Sequence, residues 1–170
     1  MAPPVTVKRV NMKSELRATH IRLKGRLRAD IHDASESEPG IDAPVIDTIE
    51  IDNLIVTTGL NLVRDLMAGD SVNAFTHFAV GTGTTAVAVG DTALETEVHR
   101  DVITQFVDTS GQLDVKYYLS SLQANGNTLS EAGILNAAST GTLFNHVLLS
   151  PTISKSAAIS VTFTWSITIA

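Results

Sequence analysis

Apolar and polar side chains alternate along much of the chain, a pattern typical of β-strands that bury one face. The clearest case closes the sequence, where every second residue from 159 to 169 is apolar and the intervening residues are all Ser or Thr. This segment predicts a long half-buried strand whose inward side chains are Ile159, Val161, Phe163, Trp165, Ile167 and Ile169. A second alternation begins near residue 21 with basic residues on its polar face, and it predicts a strand over 16–32.

Shorter segments predict the remaining elements. Strands are expected near 45–56, 75–80, 101–108, 114–122 and 142–149, with a turn at 125–127 and a brief helical turn over 93–98. One helix is expected over about 59–68, because apolar residues recur there at i, i+4 spacing between a capping Thr58 and a terminating Gly69.

The chain is therefore predicted to be mainly β, an antiparallel β-sandwich or small barrel with one short helix. Residues 1–15, which include Pro3 and Pro4, are expected to form an extended N-terminal arm. Residues 16–170 are expected to form a single β-sandwich domain, since one hydrophobic core commonly serves about 100–200 residues.

The composition excludes several classes of protein. The chain has 170 residues, of which 44% are apolar, so it can bury a core and is not expected to be disordered. It has no cysteine, which excludes disulfides, thiolate metal sites and a cysteine nucleophile. No apolar run approaches the ~20 residues of a membrane span, and the first residues lack the apolar core of a signal peptide. A soluble, non-secreted protein with no membrane partner is expected.

Charge divides the chain unevenly. Residues 1–28 carry +7 and the other 142 residues carry −13, so a basic segment precedes an acidic body. The basic residues, which we predict to bind a partner through the arm and the first strand, are Lys8, Arg9, Lys13, Arg17, Arg22, Lys24, Arg26 and Arg28. An alternative is internal pairing with Glu50 and Asp52 on a neighbouring strand. Nucleic acid is not expected as the partner, because no aromatic residue lies among these bases to stack on nucleotides.

The C-terminal third predicts association between copies. Residues 109–170 contain only four charged side chains, far fewer than a free surface normally carries. Interface cores are depleted in charge, and a face made of Ser and Thr hydroxyls suits hydrogen bonding between subunits. A homo-oligomer is therefore expected, the alternative being a neutral face in contact with solvent.

The candidate chemistry is sparse. Gly81-x-Gly83-x-x-Ala86 follows a predicted strand and matches a dinucleotide fingerprint, but no helix follows it to hold a pyrophosphate. A tight loop whose glycines allow positive φ and close backbone approach is the favoured interpretation. His32, beside Asp30 and Asp33, is the best metal candidate, although a solvated acidic loop is favoured there, and His77 is expected in the core or an interface. We predict no catalytic residue, cofactor or metal, and the protein is not expected to be an enzyme; paired carboxylates remain open because they need proximity only in space.

Four stretches form an ordered set of motifs. They are IDNLIVTTGLNLVRDLM at 51–67, FAVGTGTTAVAVGDTALETEVHR at 78–100, the stretch from 120 to 156 with Glu131, Gly133, Asn136 and Gly141–Phe144, and VTFTWSITI at 161–169. In this order they resemble a family of small virion proteins of tailed bacteriophages, often described as tail, collar or fibre-like. The stretches are similar to that family's segment leading to a helix, its glycine-rich loop, its E-x-G…G-T-L-F hairpin and its closing strand.

The resemblance implies a non-enzymatic structural protein of the virion, assembled in the host cytoplasm. We expect a homotrimeric capsid decoration (cement) protein, because the chain is too short for a fibre shaft and carries a basic arm. Its partners would be its own copies and other virion proteins, such as the major capsid protein or tail proteins. A tail, collar, baseplate or fibre-attachment component is the alternative. A carbohydrate-binding β-sandwich is disfavoured, since aromatic residues are scarce and Trp165 is predicted to point inward.

Overall fold

The computed structural model describes residues 22–34 and 44–169, and the predicted arm at 1–15 lies outside the described residues. Five of the ten connections between the described elements have four residues or fewer, and the longest of the others is the loop 82–96. The elements are β1 (Leu23–Asp33), β2 (Val45–Asp52), β3 (Leu54–Ile55), α1 (Thr57–Ala68), β4 (His77–Gly81), β5 (Glu97–Val102), β6 (Gln105–Thr109), β7 (Gln112–Leu119), β8 (Thr128–Leu135), β9 (Leu143–Ser154) and β10 (Ile159–Ile169).

The strands form two separate five-stranded sheets. Sheet A has the order β2-β1-β10-β7-β6, and sheet B has the order β3-β9-β8-β4-β5. All pairs between neighbouring strands are antiparallel. The prediction of a mainly β, antiparallel sandwich with one short helix is confirmed.

The core lies between the two sheets and is centred on aromatic rings from both. Phe78 of β4 stacks on Tyr117 of β7 and packs against Phe163 of β10, with ring centroids 4.9 Å apart in each case, and it meets the edge of Trp165 at 5.9 Å. Trp165 is fully buried, so its predicted inward orientation is confirmed. Ile169 is 57% exposed, however, because the last residue of β10 lies at the margin of the sheet.

The helix begins earlier than predicted, and its predicted cap is wrong. Val56 is the N-cap residue and makes no side-chain capping bond. Thr58 instead donates from Oγ1 to the carbonyl oxygen of Leu143 at 2.7 Å, so its hydroxyl ties the helix to β9. Gly69 ends the helix in the left-handed conformation with φ 77°, as predicted.

Two predicted strands are each divided between the sheets. The segment 45–56 breaks at Asn53, which separates β2 of sheet A from β3 of sheet B. The segment 101–108 divides between β5 and β6: Ile103 N–H donates to Thr76 of the sheet B side, and Thr104 N–H donates to Lys116 of sheet A. In both segments the hydrophobic pattern continues without a break while the chain passes from one sheet to the other.

Two further expectations are corrected. Residues 93–98 contain no helical turn and instead run into β5. Strand β8 was not predicted, because its residues from 129 to 135 are all buried and so lack the alternation of a strand with one solvated face. Within the described residues, no helix has the length and apolar character that crossing a membrane requires.

Candidate functional site

A buried carboxylate on β8 organises the most polar cluster of the described chain. Glu131 is fully buried on the outer face of sheet B, opposite the face that Ala132 and Ile134 contribute to the core. Its Oε1 accepts hydrogen bonds from the backbone N–H groups of Gly83 at 3.0 Å and Thr96 at 2.7 Å. A carboxylate that accepts several backbone N–H bonds is well stabilised in a dry site.

The second oxygen of Glu131 extends the cluster to β9. Oε2 accepts the backbone N–H of Glu95 at 2.9 Å and lies 2.9 Å from Nε2 of His146. The other ring nitrogen of His146, Nδ1, lies 2.8 Å from Oδ2 of Asp91, which also accepts the backbone N–H of Ala88 at 2.9 Å. The imidazole can donate to both carboxylates at once only when both ring nitrogens carry protons.

Glu95 closes the glycine-rich turn from outside. Its Oε2 accepts the backbone N–H groups of Thr84 at 2.7 Å and Thr85 at 2.8 Å, and its Oε1 accepts the Thr85 hydroxyl at 2.7 Å. We call Asp91, Glu95, Glu131 and His146, with the loop 82–96 that they hold, the carboxylate clasp.

The glycines of this loop are required by close approach. A Cβ atom on Gly81 would lie 2.3 Å from Oε1 of Glu131, and one on Gly83 would lie 2.6 Å from the same oxygen. Both distances are too short for any side chain, so only glycine lets the backbone wrap the carboxylate. Neither glycine has positive φ, so the close-approach part of the prediction is right and the positive-φ part is wrong.

The same loop carries an apolar contact that covers sheet B. Leu94 packs in a small buried cluster with residues of β4, β8, β9 and the segment before α1. The other members of this cluster are Val56, Ala79, Leu135 and Leu143. Carboxylate bonds and this apolar contact together fix the loop 82–96 across the outer face of sheet B.

The polar groups of the clasp are hydrogen-bonded mainly to one another. The amides of Gly83, Thr84 and Thr85, which a phosphate would need, are bonded to Glu131 and Glu95. Both nitrogens of His146 face carboxylates, so neither is free to accept a proton from a substrate. A hollow of about 200 Å³ opens beside Thr85, Asp91 and His146. In the part of the chain that the structure describes, no group of three or more His, Asp or Glu residues is placed to hold a metal ion.

Two carboxyl groups of the clasp have lowered pKa values. Burial by itself would raise the pKa of Asp91, but the hydrogen bonds from Ala88 N–H and His146 outweigh it and the pKa falls. The pKa of Glu95 is lowered by the hydrogen bonds from the backbone and hydroxyl of Thr85 and from the backbone of Thr84. Both groups therefore favour the folded loop in their ionised form.

The basic residues predicted as a partner site divide into three groups. Lys8, Arg9, Lys13 and Arg17 lie outside the described residues. Arg26 bonds Glu50 of β2 at 2.8 Å, and Arg28 bonds Asp30 at 2.9 Å and lies 3.8 Å from Glu50. Asp52 is the register partner of Arg26 but makes no ion pair with it. Arg22 and Lys24 are exposed, with no ion pair in the described part of the chain.

Internal pairing therefore accounts for two of the four bases near β1. These pairs are exposed, so each contributes only about 0–1 kcal/mol to stability. Burial alone would raise the pKa of Asp30, but hydrogen bonds from Arg28 and Thr48 lower it. The pairing neutralises the middle of β1 and leaves its first residues positively charged.

The histidine expectations are corrected by the strand assignment. His32 is not in an acidic loop: it lies on β1, is buried, and its Nε2 is 3.0 Å from the hydroxyl of Thr162. The ring of His32 thus bonds the neutral hydroxyl of Thr162 on the adjacent strand β10, and does not form a metal site with Asp30 and Asp33. His77 opens β4 and is half-buried, so its expected place in the core is wrong, whereas its expected place in an interface stays a prediction.

The hydroxyl residues of β10 lie on the outer face of sheet A. Thr164, Ser166 and Thr168 are half-buried there, and Ser166 Oγ donates to Asp114 of β7 at 2.6 Å. Ser160 and Thr162 at the start of the strand are buried. The face is polar and almost free of uncompensated charge along β10.

Sequence reasoning missed the clasp as a unit. Glu131 entered only through the family resemblance, and Glu95 was assigned to a helical turn that does not exist. His146 and Asp91 gave no signal, because they are 55 residues apart and meet only through strand pairing.

Comparison with family models, curated proteins and solved structures found no match to this chain.

Replacing Glu131 by Gln is expected to release the loop. The amide nitrogen of Gln would face an N–H donor and leave at least one buried donor unpaired, which costs roughly 2–4 kcal/mol of unfolding free energy. Urea denaturation followed by Trp165 fluorescence gives the stability, and amide hydrogen exchange shows whether protection is lost first at 82–96. Asp70→Asn, at an exposed carboxylate just beyond the helix, is the control and should change stability by under about 0.5 kcal/mol. Equal effects of the two substitutions would contradict this role of Glu131.

The loop is also expected to loosen in acid. Because Asp91 and Glu95 have lower pKa values in the folded protein, the unfolded chain binds more protons as the pH falls. Their contribution is complete above about pH 4.5 and is lost as the pH falls through the folded values. Hydrogen-exchange protection of 82–96, measured at about pH 6 and about pH 3, should fall more than that of β10.

Two substitutions separate the clasp from other acids. Asp91→Asn should lower the loop's protection and reduce its dependence on pH, and Glu95, which still titrates in this variant, should account for the dependence that is left. Asp30→Asn removes another carboxylate of lowered pKa on the opposite sheet and should leave the loop's protection unchanged. Protection at 82–96 that stays constant between the two pH values in the unsubstituted protein would refute the prediction.

Proposed function

We propose that this chain is a non-enzymatic structural protein of a tailed-bacteriophage virion. In the preferred form of the proposal it is a homotrimeric capsid decoration protein that clamps neighbouring subunits of the shell. Its partners are its own copies and the major capsid protein.

One observation carries the proposal. Two of the four stretches that carry the family resemblance, 78–100 and 120–156, meet at the carboxylate clasp: Gly81 and Gly83 wrap Glu131, Leu94 covers Gly133, and Glu95 closes the turn. These residues bond their polar groups mainly to one another, so the motif favours a role in holding the loop 82–96 over a role in binding a ligand. A motif with that purpose suits a building block of a particle better than an enzyme.

The charge distribution supports assembly with other chains. Arg22 and Lys24 remain available at the start of β1, next to the basic residues that precede it. On the hydroxyl face of sheet A the aromatic side chain among the described residues is the half-buried Tyr118 of β7, whereas Trp165 lies in the core. Contacts with protein surfaces are therefore favoured over glycan recognition.

A tail, collar, baseplate or fibre-attachment role is the second candidate. It is favoured by the resemblance itself, whose members are often described as tail, collar or fibre-like. The two locations differ in copy number, which gives a direct experiment.

The number of copies per particle is expected to match the shell. Quantitative mass spectrometry of purified virions, with the major shell protein as internal standard, should give about one copy per shell subunit or one trimer per local three-fold axis. A ratio of a few copies per hundred shell subunits would move the protein to the tail or neck. Absence from virions would refute both locations.

Deleting residues 1–15 is expected to abolish binding to purified expanded shells while the sandwich stays folded. The reason is that the arm carries Lys8, Arg9 and Lys13, which suit acidic surfaces of shell or sister subunits. Co-sedimentation with shells measures binding, and the fluorescence of the single Trp reports the fold. Binding that is undiminished in the folded deletion variant would contradict the role of the arm.

A further inference from the structure

One edge of the sandwich lacks the usual protection against pairing. The two sheets end in four edge strands, β2, β3, β5 and β6. β3 has only two residues, and β2 and β5 each carry three Asp, Glu or Arg residues, whereas β6 carries only Asp108. Charged or very short edge strands resist added strands, so β6 is the edge open to one.

Among the described residues, β6 pairs with a strand on one of its two sides only. It pairs with β7 from Gln105 opposite Lys116 to Thr109 opposite Gln112, and no other described strand pairs with it. All its residues except Val107 are exposed. An edge of this kind presents unpaired N–H and C=O groups to any extended segment that reaches it.

Exposed apolar side chains lie along the same side of the sandwich. Phe106 is 47% exposed, with its ring 6.4 Å from that of Phe75, and Val102 at the end of β5 is 59% exposed. Leu122 is 86% exposed in the loop that Gln123 joins to Asp101 through a 3.1 Å hydrogen bond. An apolar strip beside a free strand edge is what an added strand with alternate apolar residues would cover.

The charge of this edge indicates which segment fits it. Asp108, the one charged residue of β6, is exposed, so a basic strand is favoured at this edge. Residues 1–15 of this chain carry three bases and one acid, and they place Val5 and Val7 at alternate positions.

The position of the N-terminal end supports the same segment. Leu23 of β1 and Thr109 of β6 lie at the same end of sheet A, because both are linked through β10 and β7 to residues 168 and 169. Strands β1 and β6 are three strand spacings apart, about 14 Å. Fifteen residues reach up to about 50 Å when extended, so the segment is long enough to reach the β6 edge of its own copy or that of a copy beside it.

We propose that residues 1–15 of one copy add as a strand to the β6 edge of a neighbouring copy. This inference rests on the proposed function, since it needs copies that stand side by side. Each copy gives one segment and receives one, so the contact is heterologous and closes into a ring such as the trimer. It names the sister subunit as the partner of the basic arm.

Cross-linking between cysteine variants tests the proposal, because the chain has no cysteine of its own. Val7→Cys in one preparation and Val107→Cys in another are mixed, allowed to exchange subunits, and treated with a short bismaleimide, whose reach tolerates uncertainty in register. A cross-linked product containing one chain of each kind is expected on denaturing gels and by mass spectrometry. Ile46→Cys, which is 59% exposed at the β2 edge of the same sheet, replaces Val107→Cys as the matched control and should give no such product.

The outcomes separate the inference from the proposed function. Equal cross-linking of the Val107→Cys and Ile46→Cys chains, or none, would overturn the inference. Cross-linking only within one chain that carries both Val7→Cys and Val107→Cys would also overturn it, since the segment would then fold back on its own β6. In either case, an oligomer that persists on size-exclusion chromatography with light scattering, together with a shell-like copy number, would leave the proposed function standing.

A charge reversal gives a second measurement. Asp108→Lys places a base on β6 and should reduce the yield of the cross-link between copies, more strongly at low salt than at high salt. Asp70→Lys, at an exposed acid beyond the helix, makes the same change in net charge away from the edge and should leave the yield unchanged. Equal losses for both variants would reduce the effect to net charge and count against strand addition at β6.

Discussion

The hydrogen bonds of the buried Glu131 carboxylate are the interaction on which the outer face of sheet B and the loop 82–96 depend. Three backbone N–H groups and the ring of His146 bond to its two oxygens. An ionised group in a dry site is tolerated only with such partners, so the loop 82–96 must keep one path over sheet B. The glycines at 81 and 83 and the apolar contact of Leu94 follow from that path.

This constraint explains why a glycine-rich motif here is not a phosphate loop. Both kinds of loop present consecutive N–H groups to an anion, and both need glycine for close approach. In this chain the anion is a side chain supplied by β8, 48 residues after Gly83. The glycines have the spacing of a nucleotide-binding loop because they meet the same geometric need, although the anion that their loop surrounds is the carboxylate of Glu131.

Strands with one core face and one polar face could be located from the sequence, whereas contacts that depend on which strands pair, and in which register, could not. Alternation located β10 and β1 well, since each has one core face and one polar face. It failed at β8, where both faces are buried, and at residues 101–108, where the apolar pattern runs across a change of sheet. The clasp could not be derived, because the contact between Glu131 and His146 depends on the register of β8 with β9.

The clasp also limits where other chains can bind. Its loop covers the outer face of sheet B and engages the polar groups there, so that face offers few unpaired donors or acceptors. Sheet A has its outer face free of such a loop among the described residues, with charges on β1 balanced by Glu50 and Asp30. The β6 edge of sheet A carries exposed Asp108 and the half-exposed Phe106, and no other described strand pairs with it. The proposed contact with residues 1–15 of a neighbouring copy joins this acidic, apolar edge to a basic segment, so it uses a surface that internal bonding leaves open.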